Sequence, residues 1–184
     1  MQPDQEQLDR IGRALATQPD PLQALALLLT EARRLTRAEA GTIFLHKGDK
    51  LHFAVVQNDV LVRQFGEDEL RRRFADPPLS LAGPSIAGYV ALTRASLRIP
   101  DVYEIPPDRP YAFGRQRDVE SRYRTCSMLA LPIQDARGGV FGVLQLINAL
   151  NDAGQIVAFD SSSEDIAAAL LTRLARSMLP AGSP

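Results

Sequence analysis

A single cysteine, Cys126, stands in a chain of 184 residues, so no disulfide can form within it. That excludes a disulfide-stapled scaffold and makes a reducing, cytoplasmic setting the expectation. An excess of either charge is missing too. Twenty-one basic residues face 22 acidic ones, for a net charge of −1, so nothing in the balance draws the chain to nucleic acid or to an anionic membrane. Lysine occurs only at 47 and 50. Long apolar runs are absent. The longest apolar helical stretch, residues 22–29, is too short to span a bilayer and runs into Glu31, Arg33 and Arg34, so a soluble protein is expected. The first ten residues are polar, without the apolar core of a secretory signal. A glycine-rich phosphate loop, a nucleophile elbow and a zinc motif are also lacking. His46 and His52 flank one turn with no Cys, Asp or Glu cluster to complete a ligand set, so they read as surface histidines and no metal is expected. No base, nucleophile and oxyanion donor can be assembled, so no catalytic residue is expected and the chain does not read as an enzyme.

What is present is most informative at residues 127–148, SMLALPIQDARGGVFGVLQLIN. Two apolar runs, 127–134 and 140–148, flank a polar turn whose glycines offer the positive φ values a hairpin needs. Both runs are nearly continuous in apolar residues, which predicts a hairpin covered on both faces. Such a hairpin is scaffold for a pocket, with no reaction centre on it. The 45% hydrophobic and 23% charged fractions are those of one ordinary globular domain.

The other elements follow from periodicity and punctuation. Residues 1–16 form a short, weakly amphipathic helix. Asp20 as cap, Pro21 at the first helical position and Leu22, Leu25, Leu28 or Leu29, Ala32 and Leu35 predict a firmer helix ending near Arg37. Residues 42–46 and 51–57 read as a hairpin across Lys47-Gly48-Asp49. A short charged helix covers Leu70 and Phe74, stopped by Pro77 and Pro78. Ser85 caps a helix through Thr93, and a short strand at 97–100 leads to a helical turn capped by Asp101. Residues 104–123, with three prolines and four arginines, read as a long polar loop of the functional or mobile kind. Ser161 and Glu164 form a capping box for a last helix striped by Ile166, Leu170, Leu174 and Met178. Arg33-Arg34 and Arg71-Arg72-Arg73 read as solvated helix faces.

The segments SIAGYV (85–90), LRIPDVY (97–103), YRTCSML (123–129) and GVLQLIN (142–148), in this order and spacing, resemble the GAF domains of cyclic-nucleotide phosphodiesterases and bacterial HD-GYP signalling proteins. The resemblance implies an α+β fold: a roughly six-stranded, mostly antiparallel sheet with helices on both faces. It divides the chain into an N-terminal extension or helix (1–19), the domain itself (20–179) and a disordered tail (180–184). It implies a regulatory domain of a bacterial signalling protein that senses a small molecule, with cAMP or cGMP as candidate ligand, beneath a cover formed by residues 99–118. An output domain or partner protein is expected, and so is a homodimer through the terminal helices. The competing expectation is a ligand-free dimerisation or signal-transmission module, of an excised domain or a stand-alone regulator. In the cyclic-nucleotide branch an Asn-Lys pair is followed by a Phe and then Asp-Glu. Here Asn148, Phe159 and Glu164 match, while Ala149 and Ser163 replace the Lys and the Asp, which that family joins in a salt bridge. The branch that reduces free methionine sulfoxide has its catalytic cysteine about six residues before the position of Ser127, where this chain has Ser121. Cys126 then reads as a small buried strand residue.

The candidate ligand-contact set is Ile99, Asp101, Tyr103, Tyr111, Phe113, Asp118, Thr125 and Ser127. Asp101 caps a turn whose free N–H groups could face an anion. Tyr111 and Phe113 either stack on a flat ring or anchor the loop to the core. Asp118 either accepts hydrogen bonds from a base edge or is an exposed loop carboxylate. Thr125 and Ser127 either supply hydroxyls to the pocket floor or are satisfied by backbone.

Overall fold

Hydrophobic alternation builds one sheet with two different sides. A computed structural model describes residues 3–75 and 77–177. Its strands are β1 (Ala38–Lys47), β2 (Lys50–Asn58), β3 (Leu79–Ser80), β4 (Leu97–Ile99), β5 (Met128–Gln134), β6 (Val140–Leu150) and β7 (Ile156–Val157). They pair antiparallel in the order β3-β2-β1-β6-β5-β4, and β7 pairs with the end of β6. The six expected strands are thus joined by a two-residue seventh. The helices are α1 (Gln5–Ala16), α2 (Pro21–Thr36), α3 (Asp59–Phe65), α4 (Glu67–Ala75), α5 (Ile86–Thr93), α6 (Gln116–Ser121) and α7 (Ser161–Ser177), with a 3₁₀ turn at Val102–Glu104.

On one side of the sheet, Leu8, Ile11 and Leu15 of α1, Leu25, Leu28 and Leu29 of α2, and Ile166, Leu170 and Leu174 of α7 pack on Ile43, Leu129, Leu131, Ile133, Leu144 and Leu146. Each such side chain, fully removed from water, contributes about 1.5–3 kcal/mol. On the other side, Ile86 and Val90 of α5 and Val102 pack on Phe44, Met128, Ala130 and Val143. Odd and even positions of β5 and β6 therefore serve different cores, the outcome expected for a strand covered on both faces. Glycine is required at Gly142 of β6, where a Cβ would stand 2.4 Å from the Phe44 carbonyl oxygen.

Punctuation explains the boundaries. The Asp20 side chain accepts from the Leu22 N–H at 3.0 Å, and α2 ends with Arg37 in the left-handed region. Ser85 caps α5 through the Gly88 N–H. The expected capping box of α7 is replaced. Asp160 accepts from the N–H and the hydroxyl of Ser163, and these bonds hold its carboxyl below the usual carboxylate range. Glu164 instead turns to β4, pairing with Arg98 at 2.9 Å and accepting from the Ser96 hydroxyl. The charged stretch after β2 forms two helices rather than one, because Gly66, at φ 81°, ends α3.

Other expectations are also corrected. The long polar loop contains α6. Arg33 is no solvated residue: its guanidinium bonds the Glu39 carbonyl, Gln57 and Asp59, and its side chain is 13% exposed. Cys126 precedes β5 and is half-buried. Met178 of the proposed α7 stripe lies outside the described residues. Most of the α2 stripe and the described part of the α7 stripe pack inside the chain, Leu22 of α2 stays exposed, and α7 also carries α1 through Arg173–Asp9. No helix among the described residues is long and apolar enough to cross a membrane.

Candidate functional site

The second side of the sheet does not close completely. A cavity of about 700 Å³ lies between β1, β2 and β6 below and α4, residues 77–87 and residues 112–125 above. Its floor comes from the inward positions of the strands. Thr42 of β1 and Gln145 of β6 are Cα partners across the ladder and both line the cavity. They are 5% and 8% exposed, and neither side chain bonds to any described residue. Apolar walls surround them. Phe44 and Phe53 have ring centroids 4.6 Å apart, and Phe53 meets Phe74 edge-on at 5.6 Å.

The cover is held by long-range bonds. Asp118 of α6 is buried and accepts from the Tyr103 hydroxyl (3.0 Å), the Thr125 N–H (2.7 Å) and the Thr125 hydroxyl (2.9 Å). Burial and this bond push the Tyr103 phenol above its ordinary range. Beside it, Asn148 is wholly buried with φ 56°, at the point where β6 leaves β5 and takes up β7. Its amide donates to Glu39, the Tyr123 hydroxyl and the Arg124 carbonyl, and its oxygen accepts from the Cys126 N–H. The Tyr123 hydroxyl donates to Glu39 at 2.6 Å, and burial together with this bond raises its pKa beyond the usual tyrosine range. These buried groups are mutually satisfied and fix the root of the cover.

The tip of the cover is held differently. Arg117 lines the cavity with its guanidinium 4.5 Å from the Phe53 ring and 5.0 Å from the Phe74 ring. It donates to the Arg73 carbonyl at 2.8 Å and to the Pro77 carbonyl at 3.5 Å. Burial lowers its pKa, and Glu120 offsets part of that effect.

Of the residues singled out from sequence, Phe113, Asp118 and Thr125 line the cavity; Ile99, Asp101, Tyr103, Tyr111 and Ser127 are not among its lining residues. Ile99 is in the core beneath α5. Asp101 caps the turn through the Tyr103 N–H and pairs with Arg124 at 3.0 Å. Tyr111 packs at a tilt on Tyr89, and Phe113 on Tyr103, which anchors the loop. Two guanidiniums, Arg115 and Arg124, lie over the Tyr103 ring. Ser127 is wholly buried and its hydroxyl accepts from the Ala149 N–H. Asp118 is neither exposed nor free: all three of its bonds are internal. Sequence reasoning passed over Thr42, Gln145 and Arg117. A polar residue inside an apolar run that is buried on both faces was the available signal for the first two. No group of three or more His, Cys, Asp or Glu among the described residues could hold a metal ion. The Cys126 thiol is raised by burial and then by Asp101, which disfavours the reactive thiolate.

Comparisons place this geometry among known proteins. The family model described as GAF domain matches residues 20–178. A cGMP-specific 3',5'-cyclic phosphodiesterase of Drosophila melanogaster is 29% identical over 147 residues, 79% of this chain and 12% of that enzyme. The chain thus corresponds to a small part of the relative's length. Among solved structures, the GAF domain from an Acinetobacter phosphoenolpyruvate-protein phosphotransferase superposes with a TM-score of 0.67 at 16% identity, covering 92% of this chain and 89% of that one. The free methionine-R-sulfoxide reductase from Neisseria meningitidis, in complex with its substrate, gives 0.61 at 16% identity, covering 94% and 89%. At these identities the likeness is one of fold.

Proposed function

This chain belongs to the GAF domain family, and from that premise we propose that it is a regulatory domain of a signalling protein that senses a small molecule in the cavity between its sheet and the 112–125 cover. One observation carries the reading. Thr42 and Gln145 are buried, adjacent and unbonded within the chain, and both line the cavity. These side chains turn donors and acceptors to the cavity that a ligand edge can take up, while the aromatic walls at Phe44, Phe53, Phe74 and Phe113 suit a flat apolar body.

A cyclic nucleotide has both a polar-edged flat base and the right size class, and it is the first ligand to test. The substitutions at Ala149 and Ser163 do not disturb the fold, since both partners of the family's salt bridge are replaced together and Arg98–Glu164 ties β4 to α7. Ligand binding orders the cover and acts through differential affinity for its two states. The domain performs no chemistry in this reading. Its lone thiol is half-buried and raised, and the position of the reductase cysteine holds Ser121, whose hydroxyl donates to the Arg117 carbonyl.

The test is a melting scan with millimolar cAMP or cGMP. A nucleotide at ~100 times its Kd adds roughly 2.7 kcal/mol of stability. No shift with either nucleotide removes the cyclic-nucleotide version, and native mass spectrometry of protein purified from cells then identifies any retained molecule.

A further inference from the structure

Among the described residues, Arg117 is the one arginine that is not exposed and yet has no carboxylate partner. The other arginines without such a partner, such as Arg63, Arg94 and Arg137, are exposed. Those that are partly buried, Arg33 and Arg173, are paired with Asp59 and Asp9. The carboxylates on α6, Asp118 and Glu120, line the same cavity but have other hydrogen-bond partners. Asp118 is occupied by Tyr103 and Thr125, and Glu120 accepts from the Gln116 amide. Arg117 is held only by two backbone carbonyls and two phenyl rings, all neutral. Burial opposes its charge, and Glu120 offsets only part of that.

We propose that Arg117 is the charge-reading residue of the cavity, and that the ligand is a small flat molecule bearing a negative group, a carboxylate or a phosphate ester, that pairs with this guanidinium. The assignment rests on the small-molecule reading given above and adds the chemical class of the ligand. A guanidinium fork matches two oxygens of either group, and the attraction is strongest where water is partly excluded. The three features then divide recognition. Thr42 and Gln145 read a polar edge, Phe44 and Phe113 flank the ring, and Arg117, seated over Phe53 and Phe74, neutralises the charge at the tip of the cover.

The experiment uses the full chain and three pairs of charged and neutral probes: cGMP with guanosine, cAMP with adenosine, and indole-3-acetate with indole-3-acetamide. Thermal shift and titration are run on wild type, R117M and R117Q, each checked for fold by circular dichroism. For at least one pair, wild type is expected to bind the charged member roughly tenfold or more tightly than its neutral mate. In R117M and R117Q the neutral mate still binds and that ratio falls to near one. The nucleotide and indole pairs separate phosphate from carboxylate as the source. A neutral mate that binds wild type equally well, or a charge preference that survives in both variants, overturns the assignment and leaves the binding reading standing. Inorganic phosphate alone is a separate arm, expected to raise the Tm of wild type and not of the variants. If no organic probe binds but phosphate still distinguishes them, the cyclic-nucleotide reading falls and the anion assignment stands. An equal phosphate response in all three proteins overturns it.

Discussion

Two groups of polar side chains meet the same cover, one at its root and one beneath it, and they are built to opposite rules. Around Asn148 and Asp118, every donor has an acceptor: Tyr103, Tyr123, Thr125, the Arg124 carbonyl, the Cys126 N–H and Glu39 all close on one another. At the cavity floor, Thr42 and Gln145 find no partner in the chain. Closed networks of this kind specify one geometry. Open groups that face a cavity leave their donors and acceptors free for whatever enters it. The first group holds the cover in place, and the second gives the cover something to enclose.

The largest break in this contrast is Asn148→Ala. It strands several buried partners and places alanine at φ 56°, so a loss of about 3–4 kcal/mol is expected in urea unfolding. A smaller loss, about 1–2 kcal/mol at neutral pH, is expected for Tyr123→Phe, which leaves Glu39 and the Asn148 amide short of a partner. This variant carries a pH signature as well. The folded phenol is raised above its ordinary value of 10.0, so its contribution is complete below that pH and is lost as pH rises above it. The gap between wild type and Tyr123→Phe in chemical unfolding should therefore narrow above pH 10. The smallest effect sharpens the comparison from the other side. Removing the open groups in the double variant Thr42→Val, Gln145→Leu should leave the unliganded domain unchanged or about 1 kcal/mol more stable, and should abolish the ligand-induced melting shift. A clear destabilisation would mean that these two side chains are bonded after all.

What could be read from the amino-acid order was what local chemistry decides. Asp20-Pro21 with the leucine stripe, Ser85 before α5, and the double-faced apolar runs of β5 and β6 all announce themselves. Helix α6 did not. It has six residues and no side-chain cap, and it is held by Asp118 and Arg117 reaching to Tyr103 and Arg73, contacts distant in sequence. The α7 cap was misplaced by one residue because Asp160 and Ser161 are both good caps, and Glu164 found a better partner in Arg98. Of the candidate contacts, Phe113, Asp118 and Thr125 line the cavity, and Asp118 is bonded to Tyr103 and Thr125. Thr42 and Gln145 were overlooked because one polar residue in a strand looks like ordinary alternation. Only the covering of both faces makes it unusual.

Strand β6 is a partition one residue thick. Gln145 and Ile147 touch the cavity, while Leu144 and Leu146, their immediate neighbours, are seated among the leucines of α2 and α7. A close-packed interior has little slack. Pressure applied at the amide of Gln145 is therefore felt, like a tap on a drumhead, by the helices on the far side.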